Sequence, residues 1–302
     1  MSATVERRTA EARRSLSSLP SVSSAGTPIQ VAIVSTLLIT AFWPILTGMY
    51  GSWFDEHAYM EHGVLVIPAV AYMVWAKRGK LKQMPSEPSV WGVPLLFWGA
   101  MQAVVGVAAQ WIWVSRTAFL VSLVGGIVTV FGLRMVKELV YPLCTLILMI
   151  TPPTFVYERL TLSLQLLASR VGETCLEALG YSVMREGNIL ELVGTKLSVE
   201  EACSGIRSLL SILFMCVLYN YFFVRGWVMK ASILVMAIPI AILGNSGRIV
   251  ATGIAMQHNR EVAHGAAHEA FGYLSVIIAA IGCIAVHILM LYIQRAWRSQ
   301  HD

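Results

Sequence analysis

The chain has 302 residues, of which 57% are hydrophobic and 13% charged, and its mean hydropathy is +0.68. That charge is about half the roughly 25% of an average soluble domain. It excludes a soluble globular enzyme, a disordered chain and a disulfide scaffold, and leaves a polytopic membrane protein.

Residues 1–28 are rich in Arg and Ser and close on Gly26 and Pro28, which reads as a disordered basic arm. A window of about 19 residues then finds apolar segments near 29–50, 63–76, 90–110, 117–133, 138–154, 208–224, 231–246 and 270–293. The expected fold is therefore an all-α polytopic membrane protein with about eight transmembrane helices, over residues 29–294, and a short tail at 295–302. Before the sixth span comes an excursion over residues 155–204. Leu160, Leu164, Leu167, Val171, Cys175 and Leu179 recur at helical spacing there, with Glu158, Arg159, Arg170, Glu173 and Glu177 between them. That pattern reads as an interfacial amphipathic helix. Turn signals at Glu186-Gly187-Asn188 and Gly194-Thr195 then frame strands at Ile189–Val193 and Lys196–Val199. The expectation is a small helix plus β excursion outside the membrane.

An even number of spans places both termini on one side, and the charges test this. The loops on the N-terminal side hold 14 of the 22 basic residues against five acids, net +9, whereas the other side sums to −4. Every loop on the N-terminal side is basic, so that side is the cytoplasm and both termini lie there. The +5 of the whole chain is topological and makes no case for nucleic acid. Five cysteines without a C-x-x-C spacing support neither structural zinc nor iron–sulfur chemistry, and no cofactor is implied.

Three outer span ends carry chemistry. Cys203 opens the sixth span, Asn245-Ser246-Gly247-Arg248 closes the seventh, and His264 and His268 precede the eighth. A thiol, a guanidinium and an imidazole at one surface are the nucleophile, oxyanion stabiliser and base of cysteine acyl transfer. Each residue also has a plainer reading. Cys144, Cys216 and Cys283 lie mid-span and act as small hydrophobes. Cys203 differs by sitting at a helix start, where the dipole lowers a thiol pKa, although Glu200 and Glu201 oppose that and a disulfide to Cys175 would block it. Arg248 could anchor a helix end by snorkelling, and Arg207, four residues after Cys203, competes for its role. His264 and His268 have the spacing of a metal pair, but without the intervening glutamate of a zincin helix. Asp55, Glu56, His57, Tyr59, Glu61 and His62 face the same surface, where a solvated loop would suffice to explain them.

Taken jointly, these blocks resemble the exosortase/archaeosortase family. Glu201-Ala202-Cys203-Ser204-Gly205-Ile206-Arg207-Ser208-Leu209 resembles its signature, Asn245-Ser246-Gly247-Arg248-Ile249 its Asn-x-x-Arg block, and His268-Glu269-Ala270-Phe271-Gly272-Tyr273 its His-Asp-x-x-Gly-aromatic block, with Glu269 in place of the Asp. Tyr59-Met60-Glu61-His62-Gly63 is similar to the first-loop motif. The resemblance implies a membrane-embedded cysteine transpeptidase acting on single-pass precursors whose C-terminal sorting signal is a short motif (Pro-Glu-Pro in the best-known class), a transmembrane helix and a basic tail. It implies Cys203 as nucleophile, Arg248 as oxyanion-stabilising or positioning cation and His268 as general acid/base, since His264 has no counterpart in the block. Membrane lipids surround such a site, and the acceptor (lipid, glycan or water) stays open. The rival is a transporter or lipid-handling protein, which predicts polar residues in mid-membrane and broken spans in paired positions.

Overall fold

The computed structural model describes residues 26–54, 60–199, 205–258 and 266–301. They form a mostly helical protein with one small sheet. In chain order the elements are α1 (Gly26–Ala41), α2 (Trp43–Phe54), α3 (Gly63–Ala76), α4 (Arg78–Gln83), α5 (Gly92–Ala108), α6 (Ile112–Phe131), α7 (Leu133–Thr145) with a 3-10 turn (Leu146–Met149), α8 (Thr154–Ala178), β1 (Val183–Glu186), β2 (Ile189–Leu192), β3 (Thr195–Ser198), α9 (Gly205–Phe223), α10 (Trp227–His258) and α11 (Ala266–His301). Among the described residues three helices are long and apolar enough to cross a bilayer, at Ile112–Phe131, Trp227–Gln257 and Val276–Trp297. Two bent pairs raise that to five: α1 with α2, bent by 66°, and α7 and its 3-10 turn with α8, bent by 78°. Gly63–Ala76, Gly92–Ala108 and Leu209–Phe223 are apolar but shorter. The chain is a polytopic membrane protein. Its bends follow from proline, which has no N–H to donate: Pro44 lies just past the first break and Pro152-Pro153 form the second.

The tightest pairing is between α5 and α6. Gly92, Gly99 and Gly106 recur every seven residues and are all buried, so they line one face of a helix read at 3.5 residues per turn. A methyl on Gly106 would sit 2.5 Å from the Ser115 backbone nitrogen, and one on Gly99 would stand 3.0 Å from that of Ser122. Small residues let two membrane helices approach until their backbones touch. Gln102 Nε2 adds bonds to Val114 O at 3.1 Å and Thr117 Oγ1 at 2.8 Å.

The excursion holds one more strand than expected. β1, β2 and β3 form an antiparallel meander with Leu190 opposite Leu197 and Glu191 opposite Lys196. Both hairpins turn through glycines with positive φ, Gly187 at 64° and Gly194 at 77°, a backbone that glycine adopts without strain. Leu190, Leu192, Leu197 and Val199 bury one sheet face against Ala168 and Leu176 of α8 and Ile249 and Met256 of α10. The opposite pair Glu191–Lys196 is an ion pair, and Arg185–Glu173 ties β1 to α8 at 2.8 Å. The expected leucine stripe of α8 is not its packed face. Gln165, Ala168, Ser169, Gly172 and Leu176 are buried, whereas Leu160, Leu167, Cys175 and Leu179 are exposed. The cause is close approach: a Cβ on Gly172 would stand 3.0 Å from Ile249 Cγ2, a spacing the leucines would prevent.

Candidate active site

Asn245-Ser246-Gly247-Arg248 does not close a helix. These residues lie inside α10, which continues for ten residues past Arg248 to His258. The helix survives this polar stretch because Ile249 and Met256, further along, bury themselves in the core under the sheet. Its polar residues also point into packed surroundings. Asn245 is buried and shares a small cavity with Leu164 and Ala168 of α8 and Leu209 of α9. Ser246 Oγ donates back to Ile242 O at 2.8 Å, the usual satisfaction of a hydroxyl inside a helix.

Arg248 faces α11. Its guanidinium lies over the bare Cα of Gly272: a Cβ there would stand 3.5 Å from Nη1, 3.6 Å from Cζ and 3.7 Å from Nη2. His268 lies four residues earlier on the same helix, one turn or about 6 Å along the axis. Arg248 and Ala251 also line one end of a groove of about 420 Å³ between α10 and α11, whose other walls include Leu243, Gly244, Gly247, Leu274 and Ile278. Among the described residues the arginine is its only charged lining residue. At the far end the helices close on each other, Gly282 against the side chain of Ile240. α10 therefore turns Asn245 toward α8 and the first turns of α9, and Arg248 toward the start of α11. α9 itself begins two residues after Cys203.

The other predicted residues fall differently. Cys203 and His264, with Glu200, Glu201 and Ser204, lie outside the described residues, as do Asp55, Glu56, His57 and Tyr59. Arg207 and His268 are placed by their backbone, within the first turns of α9 and α11. Cys175 is an exposed free thiol. His62 is no part of a solvated loop: it is 5% exposed, its Nε2 is 3.1 Å from Leu148 O and its ring stands 6.2 Å from Phe214 of α9. Burial holds its pKa below the ordinary 6.5, against smaller raising effects of the Leu148 carbonyl and Glu61. Beside it a Cβ on Gly63 would strike the Trp53 indole, whose Nε1 donates to Met149 O at 3.0 Å. The His62-Gly63 pair thus locks onto the 3-10 turn and reaches α9 through Phe214.

Two polar features were missed from sequence. Arg116 is buried in α6 and donates to Thr151 Oγ1 at 2.8 Å, Gly48 O at 3.2 Å and Ser52 Oγ, so one guanidinium ties α2 to the residue before Pro152. A charge at the end of an apolar segment was the available signal. Within α9 and α11, Tyr219 and His287 are hydrogen bonded at 2.7 Å, so polar groups are not confined to the outer ends. Among the described residues no cluster of three or more His, Cys, Asp or Glu could hold a metal ion.

Comparison with curated proteins and with solved structures gives no significant match. The sequence model of one protein family, described as "Transmembrane exosortase", matches residues 53–285.

Proposed function

As the chain belongs to the transmembrane exosortase family, we propose that it is a cysteine peptidase and transpeptidase that cleaves C-terminal sorting signals of exported precursors at the outer face of the inner membrane. The observation that carries this reading is the meeting of the Arg248 guanidinium with α11 at Gly272, one turn from His268. It joins two of the three blocks through a contact that sequence separation hides.

In this reading the chain makes eight passes, with residues 1–28 and 295–302 in the cytoplasm and the 155–204 excursion on the outer side. The exposed leucines of α8 rest on the bilayer surface. The precursor's transmembrane helix enters from the lipid and lies against the apolar groove beside Arg248. The Cys203 thiolate attacks the scissile carbonyl carbon, and Arg248 stabilises the oxyanion that forms. Such a donor supplies about 2.7–4 kcal/mol. The tetrahedral adduct collapses to a thioester as the C–N bond breaks, and His268 gives its proton to the leaving amine. The same imidazole then takes a proton from the acceptor that attacks the thioester, releasing the thiolate.

The bends at Pro44 and Pro152-Pro153 meet the broken-span criterion of the transporter alternative, but they are closed on each other. Trp53 and Met149 share a core cluster and Arg116 bonds to both regions. Co-expression with an epitope-tagged precursor carrying a motif, a transmembrane helix and a basic tail tests the proposal. The tail is lost with wild-type protein and retained with Cys203→Ala. Processing by the Cys203→Ala protein would overturn it.

A further inference from the structure

Two cysteines that this reaction does not use meet inside the helix bundle. Cys216 of α9 and Cys283 of α11 are 1% and 4% exposed, and their sulfurs are 2.9 Å apart. One turn further along each helix, Tyr219 Oη and His287 Nδ1 form their 2.7 Å hydrogen bond. The contact between α9 and α11 is thus a thiol rung followed by a phenol–imidazole rung, set among Ile212, Ile233 and Ala279. Packing alone does not require the two thiols, since small apolar residues such as alanine or valine would fill a similar space. A metal is not what they are arranged for: no third His, Cys, Asp or Glu among the described residues joins the two thiols.

We propose that Cys216 and Cys283 are an oxidisable dithiol that closes to a disulfide within the membrane-embedded bundle. Each thiol gives up one proton and one electron, and a bond forms between the sulfurs. The two electrons and two protons pass to a membrane-soluble two-electron acceptor of the quinone or azo class, which becomes the quinol or the hydrazine. The sulfurs need to close by under about 1 Å to reach bonding distance. Access exists on one side, where an apolar cavity of about 90 Å³ lined by Met215, Val276 and Ile284 reaches both cysteines. That lining admits a small lipophilic oxidant and disfavours a charged one. The bond joins the helix that follows Cys203 to the helix that carries His268. Its bearing on catalysis rests on the proposed function; the dithiol itself does not.

Membranes containing the full chain with Cys203→Ala are treated with diamide and denatured. Free thiols are then blocked with N-ethylmaleimide and the protein is digested without reduction for mass spectrometry. The expected result is a linked peptide pair joining Cys216 to Cys283, with loss of the alkylated form of both, reversed by dithiothreitol. Cys216→Ser and Cys283→Ser each remove the linked pair and leave the remaining thiol alkylated. Full alkylation of both cysteines after diamide, or bonding of either to Cys144 or Cys175, would overturn the proposal. The readout needs no precursor, so it fails or succeeds independently of the peptidase reading.

Discussion

Gly106→Ala isolates the contact that holds α5 to α6. The added methyl would lie 2.5 Å from Ser115 N, 2.8 Å from its Cα and 3.0 Å from its Cβ, where carbon pairs prefer about 3.5–4.0 Å. Two of the three atoms are backbone, so no rotamer change gives relief and α6 must retreat by about 1 Å. The end of the hairpin resists that movement, because Trp111 N donates to Gly106 O at 2.8 Å and Gln102 is bonded to Val114 O. Over-packing costs about 1–3 kcal/mol and a weakened hydrogen bond about 1 kcal/mol. The gain in helix propensity from Gly to Ala returns about 0.5–1 kcal/mol. The net is a loss of about 1–3.5 kcal/mol, or roughly a 5- to 300-fold change in the folding equilibrium. Gly51→Ala is the control, since nothing lies within 4 Å of its added methyl, and it gains about 0.5–1 kcal/mol. Unfolding of each protein from mild detergent by titration with dodecyl sulfate, followed by tryptophan fluorescence, measures both. A Gly106→Ala protein as stable as Gly51→Ala would refute the account of this interface.

Gly272→Ala places a methyl at ordinary contact distance from Arg248 and leaves precursor processing intact, whereas Gly272→Leu displaces the guanidinium and lowers the processing rate by about 10²–10³, as for loss of one oxyanion donor, without loss of folded protein by size-exclusion chromatography. Cys216→Ala retains processing in the co-expression blot under reducing conditions. The buried neutral His62 makes stability pH-dependent. Its folded-state pKa lies below 6.5, so the unfolded chain binds the proton first and stability falls as pH drops below 6.5, by at most about 1.4 kcal/mol per pH unit. His62→Gln removes that slope in denaturation measured from pH 7.5 to 5.5.

Much of this architecture is legible in the chain because hydropathy and turn chemistry are local. The eight apolar windows each overlap a helix or a bent pair, though Trp227–His258 is twice the length of its window, and Gly187 and Gly194 mark the hairpins. What escaped is set by partners distant in sequence. A run such as Asn245-Ser246-Gly247-Arg248 looks like a helix end when read alone, and continues as helix only because Ile249 and Met256 bury themselves beneath the sheet. The packed face of α8 runs against its leucine stripe because hydrophobicity ranks leucine above Ala168, Ser169 and Gly172, whereas contact with α10 selects for smallness. The seven-residue glycine pattern on α5 carries no hydropathy signal and is recognisable only beside Ser115 and Ser122. As for the site, the blocks around Arg248 and His268 are visible as residue types, but the Arg248–Gly272 contact that links them arises only when α10 packs on α11. His62 reads as loop polarity in sequence because its partner, the Leu148 carbonyl of the 3-10 turn, lies 86 residues away.

In the proposed reaction Cys203 carries the cleaved chain as a thioester. Purified protein mixed with a tagged precursor in detergent, quenched in acid and weighed intact by mass spectrometry tests it directly. The expected product is an adduct equal to the precursor lacking its transmembrane helix and tail, discharged by hydroxylamine and missing from the Cys203→Ala protein. An adduct that persists in Cys203→Ala, or cleavage by wild type with no adduct on Cys203 even when His268→Ala slows its resolution, would contradict it.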